Sequence, residues 1–171
     1  GFSNALTRME LKTKALKMAG WMESKGVKKG DRVCAYMTNC SETVITMLAT
    51  SALGAIFSSC SSDFGVEGVI DRFEQIEPKI MIATDGYLYN GKVIERSEEI
   101  KLISKRLPSL EHIIVVEYIS SNKEIDNFTN FKTVFQSDRL ENYVLCKFND
   151  PLYIVFSSGT TGQPKCITHS I

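Results

Sequence analysis

The spacing of apolar and polar positions changes several times along the chain, and each change marks an element. Leu11, Ala15, Met18 and Met22 recur at helical intervals and form one apolar stripe. Thr7-Arg8-Met9-Glu10 is a capping-box pattern, in which hydroxyl and carboxylate each satisfy a free backbone N–H at the helix start. Gly26 supplies a left-handed stop. Residues 28–31 read as a turn, and 33–37 as a short apolar strand covered on both faces. Ser41 is placed to cap a second helix, with Val44, Leu48, Ala52 and Ala55 on one side. A strand at 56–59 and a polar turn at Ser61, Ser62 and Asp63 follow.

A third helix over 66–76 carries Val69, Ile70, Phe73 and Ile76 on one face, and Pro78 breaks it. Residues 79–84 read as a strand, 98–107 as a helix and 113–118 as another strand. Alternating strands and helices define the α/β class, with a largely parallel sheet joined by right-handed crossovers. Residues 119–149 mix Ser, Asn, Asp and Lys with scattered Phe and show no firm period, so they read as a long connection. No repeat, low-complexity tract or linker divides the 171 residues, a length typical of one domain.

Charge narrows the possible partners. Lys plus Arg and Asp plus Glu are 20 each, with no dense basic run, which argues against nucleic acid. No apolar run approaches the ~20 residues needed to span a bilayer, and the N-terminus has no secretory pattern. The five cysteines, Cys34, Cys40, Cys60, Cys146 and Cys166, show no C-x-x-C or zinc-ligand spacing and read as reduced thiols. The expectation is a cytosolic protein with no metal site of its own. Gly1 is not an initiator Met and Ile171 interrupts a pattern, so the chain reads as a piece of a longer protein.

The chemistry concentrates in one segment. After Pro151, the apolar run 152–156 leads into Ser157-Ser158-Gly159-Thr160-Thr161-Gly162-Gln163-Pro164-Lys165. Two glycines let backbone N–H groups approach an anion, four hydroxyls can donate to phosphate oxygens, and Lys165 adds a compact positive charge. The spacing departs from the Walker pattern, because Pro164 stands where that motif needs Gly and Cys166 follows Lys165 in place of Ser or Thr. A loop held between two buried strands and shaped for a polyphosphate is the expectation; a plain polar connection is the alternative.

Order and spacing here resemble the phosphate-binding loop of the adenylate-forming superfamily of acyl-CoA synthetases, luciferases and peptide-synthetase adenylation domains. Residues 26–33 are similar to that superfamily's approach to its first buried strand. Ser61-Ser62-Asp63-Phe64-Gly65-Val66, Asp71-Arg72-Phe73, Gln75-Ile76, Pro78-Lys79 and Tyr89-Asn90-Gly91-Lys92 resemble the acetoacetyl-CoA synthetase family, as do Cys166 and His169-Ser170. Ser62, where that family is expected to carry Pro, is a departure.

The resemblance implies that residues 1–171 are part of the large N-terminal AMP-binding domain of such an enzyme. It implies ATP with Mg²⁺ and coenzyme A as co-substrates and acetoacetate as the acid, with Ser157, Ser158, Gly159, Thr160, Thr161, Gly162 and Lys165 on the ATP phosphates. Lys92 is a candidate contact for the nucleotide end of coenzyme A, with a solvated turn lysine as its alternative. His169 and His112 read as a structural and an exposed edge residue, and Trp21 as a packing residue. The superfamily's acyl pocket, ribose-binding Asp, hinge and mobile Lys would lie beyond Ile171, so this chain alone is expected not to catalyse. Another short-chain acyl-CoA synthetase, and a non-catalytic nucleotide-binding isoform, are the alternatives.

Overall fold

Thr7 caps the first helix as its sequence requires. The Glu10 N–H donates to Thr7 Oγ1 at 3.2 Å and the Thr7 N–H donates to Glu10 Oε2 at 2.8 Å. The helix, α1 (Arg8–Ser24), buries Ala15, Met18, Ala19, Trp21 and Met22. It ends in a Schellman arrangement: Val27 N–H donates to Met22 O and Gly26 N–H to Glu23 O. The computed structural model describes residues 5–119, 128–157 and 162–171.

Beyond α1 come β1 (Arg32–Met37), α2 (Ser41–Ala52), β2 (Ile56–Ser61), α3 (Val66–Phe73) with a 3₁₀ turn at Glu74–Ile76, and β3 (Ile80–Thr84). Next are β4 (Gly86–Tyr89), β5 (Lys92–Glu95), α4 (Ser97–Arg106), β6 (His112–Val116), β7 (Thr129–Asn130), a 3₁₀ turn at Phe131–Gln136, β8 (Pro151–Phe156) and β9 (Cys166–Ser170). The main sheet has the order β7-β6-β3-β1-β2-β8-β9, and all pairs are parallel except β8 with β9. This is the expected α/β class, a mixed and mostly parallel sheet. β4 and β5 form a separate antiparallel hairpin, turned at Asn90 (φ 48°) and Gly91 (φ 74°). Asn-Gly is the pair that tolerates two successive left-handed residues.

Strand residues alternate between two cores. Val33, Ala35, Met37, Ile80, Ile82, Ile114 and Val116 pack with α1 and α2 on one face. Cys34, Tyr36, Met81, Ala83, Ile113 and Val115 pack with α3 and α4 on the other. Both faces are covered, so these strands read as continuous apolar runs.

Several expectations need correction. The buried face of α2 is Ile45, Thr46, Ala49 and Thr50, while Val44 and Leu48 are exposed. The buried threonines hide their polarity: Thr46 Oγ1 donates to Glu42 O and Thr50 Oγ1 to Thr46 O, each at 2.8 Å. Cys40, not Ser41, occupies the N-cap, and no side chain caps this helix; the Ser41 hydroxyl donates to Glu42 instead. Part of the aperiodic stretch is packed: Phe131, Val134 and Leu140 are buried and Leu140 N–H donates to Leu16 O at 2.9 Å, while Tyr143, Leu145 and Phe148 are exposed. His112 begins an interior strand, half-buried against the Trp21 ring at 5.9 Å. The loop's flanking strands are also not buried: β9 is exposed throughout, and in β8 only Ile154 is buried.

Candidate functional site

Parallel pairing carries β1, β2, β3, β6 and β8 out at one edge of the sheet, and the polar segments collect there. The chain passes from β1 to β2 on one side and returns to β3 on the other, a reversal that opens a crevice beyond the carboxyl ends of the strands. A crevice of about 400 Å³ lies at this edge, lined by Thr38 and Asn39 after β1, Ser61 at the end of β2 and Asp63 after it, Tyr89 of β4 and Tyr118 after β6. Thr38 Oγ1 is buried there with no hydrogen-bond partner among the described residues.

Three ties hold the crevice walls. Asp85, 1% exposed, accepts from Tyr118 N–H at 2.8 Å and Ile119 N–H at 3.0 Å, joining the β3 exit to the β6 exit. Tyr36 donates its hydroxyl to Phe64 O at 2.6 Å, and burial pushes that phenol up to about 12, so it stays a donor at neutral pH. Arg96, its side chain 14% exposed, donates from Nε to Ser62 O at 2.8 Å, from Nη1 to Glu99 at 2.6 Å and from Nη2 to Tyr87 Oη at 3.1 Å. Cys60 also lines the crevice; burial pushes its thiol up to about 12 and keeps it protonated.

The segment singled out in the sequence leaves the same edge at Ser157. Ser158, Gly159, Thr160 and Thr161 lie outside the described residues. Ser157, Gly162 and Lys165 are described, and the two ends of the loop close on each other. Ser157 N–H donates to Lys165 O at 3.1 Å, and Lys165 N–H donates to Ser157 Oγ at 3.2 Å. Gly162 has φ 138°, a backbone angle open to glycine. Lys165 is exposed and Ser157 half-buried.

Gln75 grips the other side of the loop's exit. Its Nε2 donates to Asp71 O at 2.5 Å and Pro164 O at 2.9 Å, and its Oε1 accepts from the Cys166 thiol at 3.4 Å. Lys165 therefore faces Ser157 while its two neighbours face Gln75. Lys92 stands apart: it is exposed, opposite Tyr89 across the hairpin, and does not line the crevice. His169 is an exposed residue of β9 stacked on Tyr153 at 4.8 Å. Sequence reasoning missed Arg96 altogether, for it lies in a short polar stretch with no motif, and it noted Gln75 without a role.

The family model for AMP-binding enzymes matches residues 2–171, and the chain belongs to that family. Within it, the chain is similar to acetoacetyl-CoA synthetases. That of Macaca fascicularis is 42% identical, covering 96% of this chain and 26% of the relative. That of Rhizobium meliloti is 41% identical, covering 98% and 26%. The solved acetoacetyl-CoA synthetase from Streptomyces lividans matches with a TM-score of 0.90 at 35% identity, over 95% of this chain and 25% of that one. The chain thus spans about a quarter of the length of the relatives it matches.

Proposed function

We propose that this chain is the phosphate-gripping part of an ATP-dependent acid–CoA ligase whose acid is acetoacetate. The observation that carries the reading is the 157–165 loop, closed at its base by the Ser157–Lys165 pair at the carboxyl edge of a family-matched sheet. In the proposed reaction the acetoacetate carboxylate attacks the α-phosphorus of ATP, giving acyl-adenylate and pyrophosphate. The thiol of coenzyme A then attacks the acyl carbon and AMP leaves.

The loop's chemistry fits the first step. Negative charge builds on the departing pyrophosphate, and fixed backbone donors, hydroxyls and one ammonium stabilise it with little reorganisation. Ser158, Gly159, Thr160, Thr161 and Gly162 would hold the β- and γ-phosphates, with Ser157 at the rim, Lys165 screening, and Mg²⁺ sharing the charge through the phosphate oxygens. The crevice suits the nucleotide end of coenzyme A in the second step. The Thr38 hydroxyl, unpartnered among the described residues, and the hydroxyl-rich walls can receive a polar guest. Asp63 repels phosphate, so a cation for those groups would come from outside the walls, where Lys92 stands.

The test uses the full-length ligase. Thr160→Ala and Lys165→Ala should each lower acid-dependent ATP–pyrophosphate exchange by roughly ten- to a hundredfold; unchanged exchange refutes the loop assignment. Acetate, propionate, butyrate and acetoacetate compared in that assay identify the acid, and a preference other than acetoacetate makes this another short-chain ligase. For Lys92→Ala, a raised KM for coenzyme A with unchanged exchange is the expected split.

A further inference from the structure

The crevice is assembled from four stretches distant in the chain: the exit of β1, the end of β2 with the turn that follows it, the β4–β5 hairpin and the exit of β6. The hairpin is the weak member. It belongs to a separate two-stranded sheet, exposes Leu88, Tyr89 and Val93, and a lone hairpin is marginal in water. Something outside the hairpin must fix where Tyr89 stands relative to Ser61 and Asp63.

We infer that Arg96 is the positioning residue that sets the width of this crevice, and so its affinity for the nucleotide end of coenzyme A; this rests on the ligase reading above. Arg96 directly follows β5 and its guanidinium reaches both walls at once. Nε holds the Ser62 carbonyl in the β2 exit turn, while Nη2 holds Tyr87 Oη on β4, whose ring centroid lies 5.2 Å from the guanidinium carbon. Glu99 takes the remaining Nη1 and fixes the plane of the fork against α4. The Arg96 backbone N–H donates to Asp85 O at 2.8 Å, and Asp85 in turn holds the Tyr118 wall. A planar group with donors in fixed directions can serve Ser62, Tyr87 and Glu99 together; an ammonium on a flexible stem cannot. Arg96 does not line the crevice and touches no substrate in this scheme. The 157–165 loop leaves from β8, and its described residues share none of these contacts.

The experiment measures both half-reactions of the full-length ligase. Arg96→Lys should raise the KM for coenzyme A about tenfold, the effect of one or two lost charge-assisted hydrogen bonds, while ATP–pyrophosphate exchange stays within about twofold. Tyr87→Phe removes one tie, keeps the ring, and should raise that KM about threefold; it serves if Arg96→Lys does not fold. Ser61→Phe fills the crevice and tests the underlying reading. If Ser61→Phe raises the KM for coenzyme A but Arg96→Lys and Tyr87→Phe do not, the positioning role is overturned and the crevice reading stands. If Ser61→Phe has no effect, coenzyme A binds elsewhere and both fail. An equal loss in both half-reactions for Arg96→Lys would mark a general structural role and overturns the inference as well.

Discussion

The central strands and the β8–β9 hairpin belong to one sheet but are held in opposite ways. Ile80, Met81, Ile82 and Ala83 of β3 are fully buried, and β1 pairs with β2 through six successive residues. β9 exposes every residue, and β8 joins β2 through only two pairs. Stability resides in the first region, where apolar area is removed from water. The candidate nucleotide loop is mounted on the second, where a few polar contacts fix position and contribute little to folding.

The contrast breaks most visibly in the core. Phe73→Ala, at a fully buried position, should cost about 3–5 kcal/mol in urea unfolding. High pH should erode the same region. Burial raises Tyr36 and Cys60 to about 12 from unfolded values of 10.0 and 9.0, so the unfolded chain loses these protons first. Their contribution is complete below pH 9 and is lost as pH rises towards 12. Cys60→Ala should flatten that decline, and an unchanged slope would contradict it.

Gly20→Ala is next in size. In an exposed helix interior this change adds about 1 kcal/mol of stability, but here a Cβ would lie 2.0 Å from Asp138 O, a backbone atom between the buried Val134 and Leu140. The sign should reverse to a loss of about 1–3 kcal/mol. Gln75→Leu should lower ATP–pyrophosphate exchange about three- to tenfold with little change in unfolding, since its hydrogen bonds to the loop exit are partly exposed. Ile167→Ala, 45% exposed, should change stability by about 0.5 kcal/mol or less. A core-sized loss there would erase the distinction between the two regions.

Legibility in the sequence follows the same division. The α1 capping box and the apolar runs of β1, β3 and β6 depend on residues close in the chain, and the sequence shows them. The buried face of α2 is concealed in the sequence because Thr46 and Thr50 satisfy their hydroxyls within the helix, while the exposed Val44 and Leu48 form the more hydrophobic stripe. The placement of 128–149 depends on long-range contacts with α1, α2 and β6 that no periodicity records. The candidate nucleotide loop stands out in the sequence by residue type and order. Its Gln75 support does not, because the partner Pro164 lies 89 residues away, and Arg96 likewise acts through a carbonyl 34 residues back.

Where the β2–β8 ladder runs out, one side chain continues it: Ser58, buried, donates its hydroxyl to Ile154 O at 2.9 Å. The seam is thus two rungs and a rivet. Thermal opening of this chain should begin along it, with β8 and β9 peeling away as one leaf while the inner strands keep their amide protons.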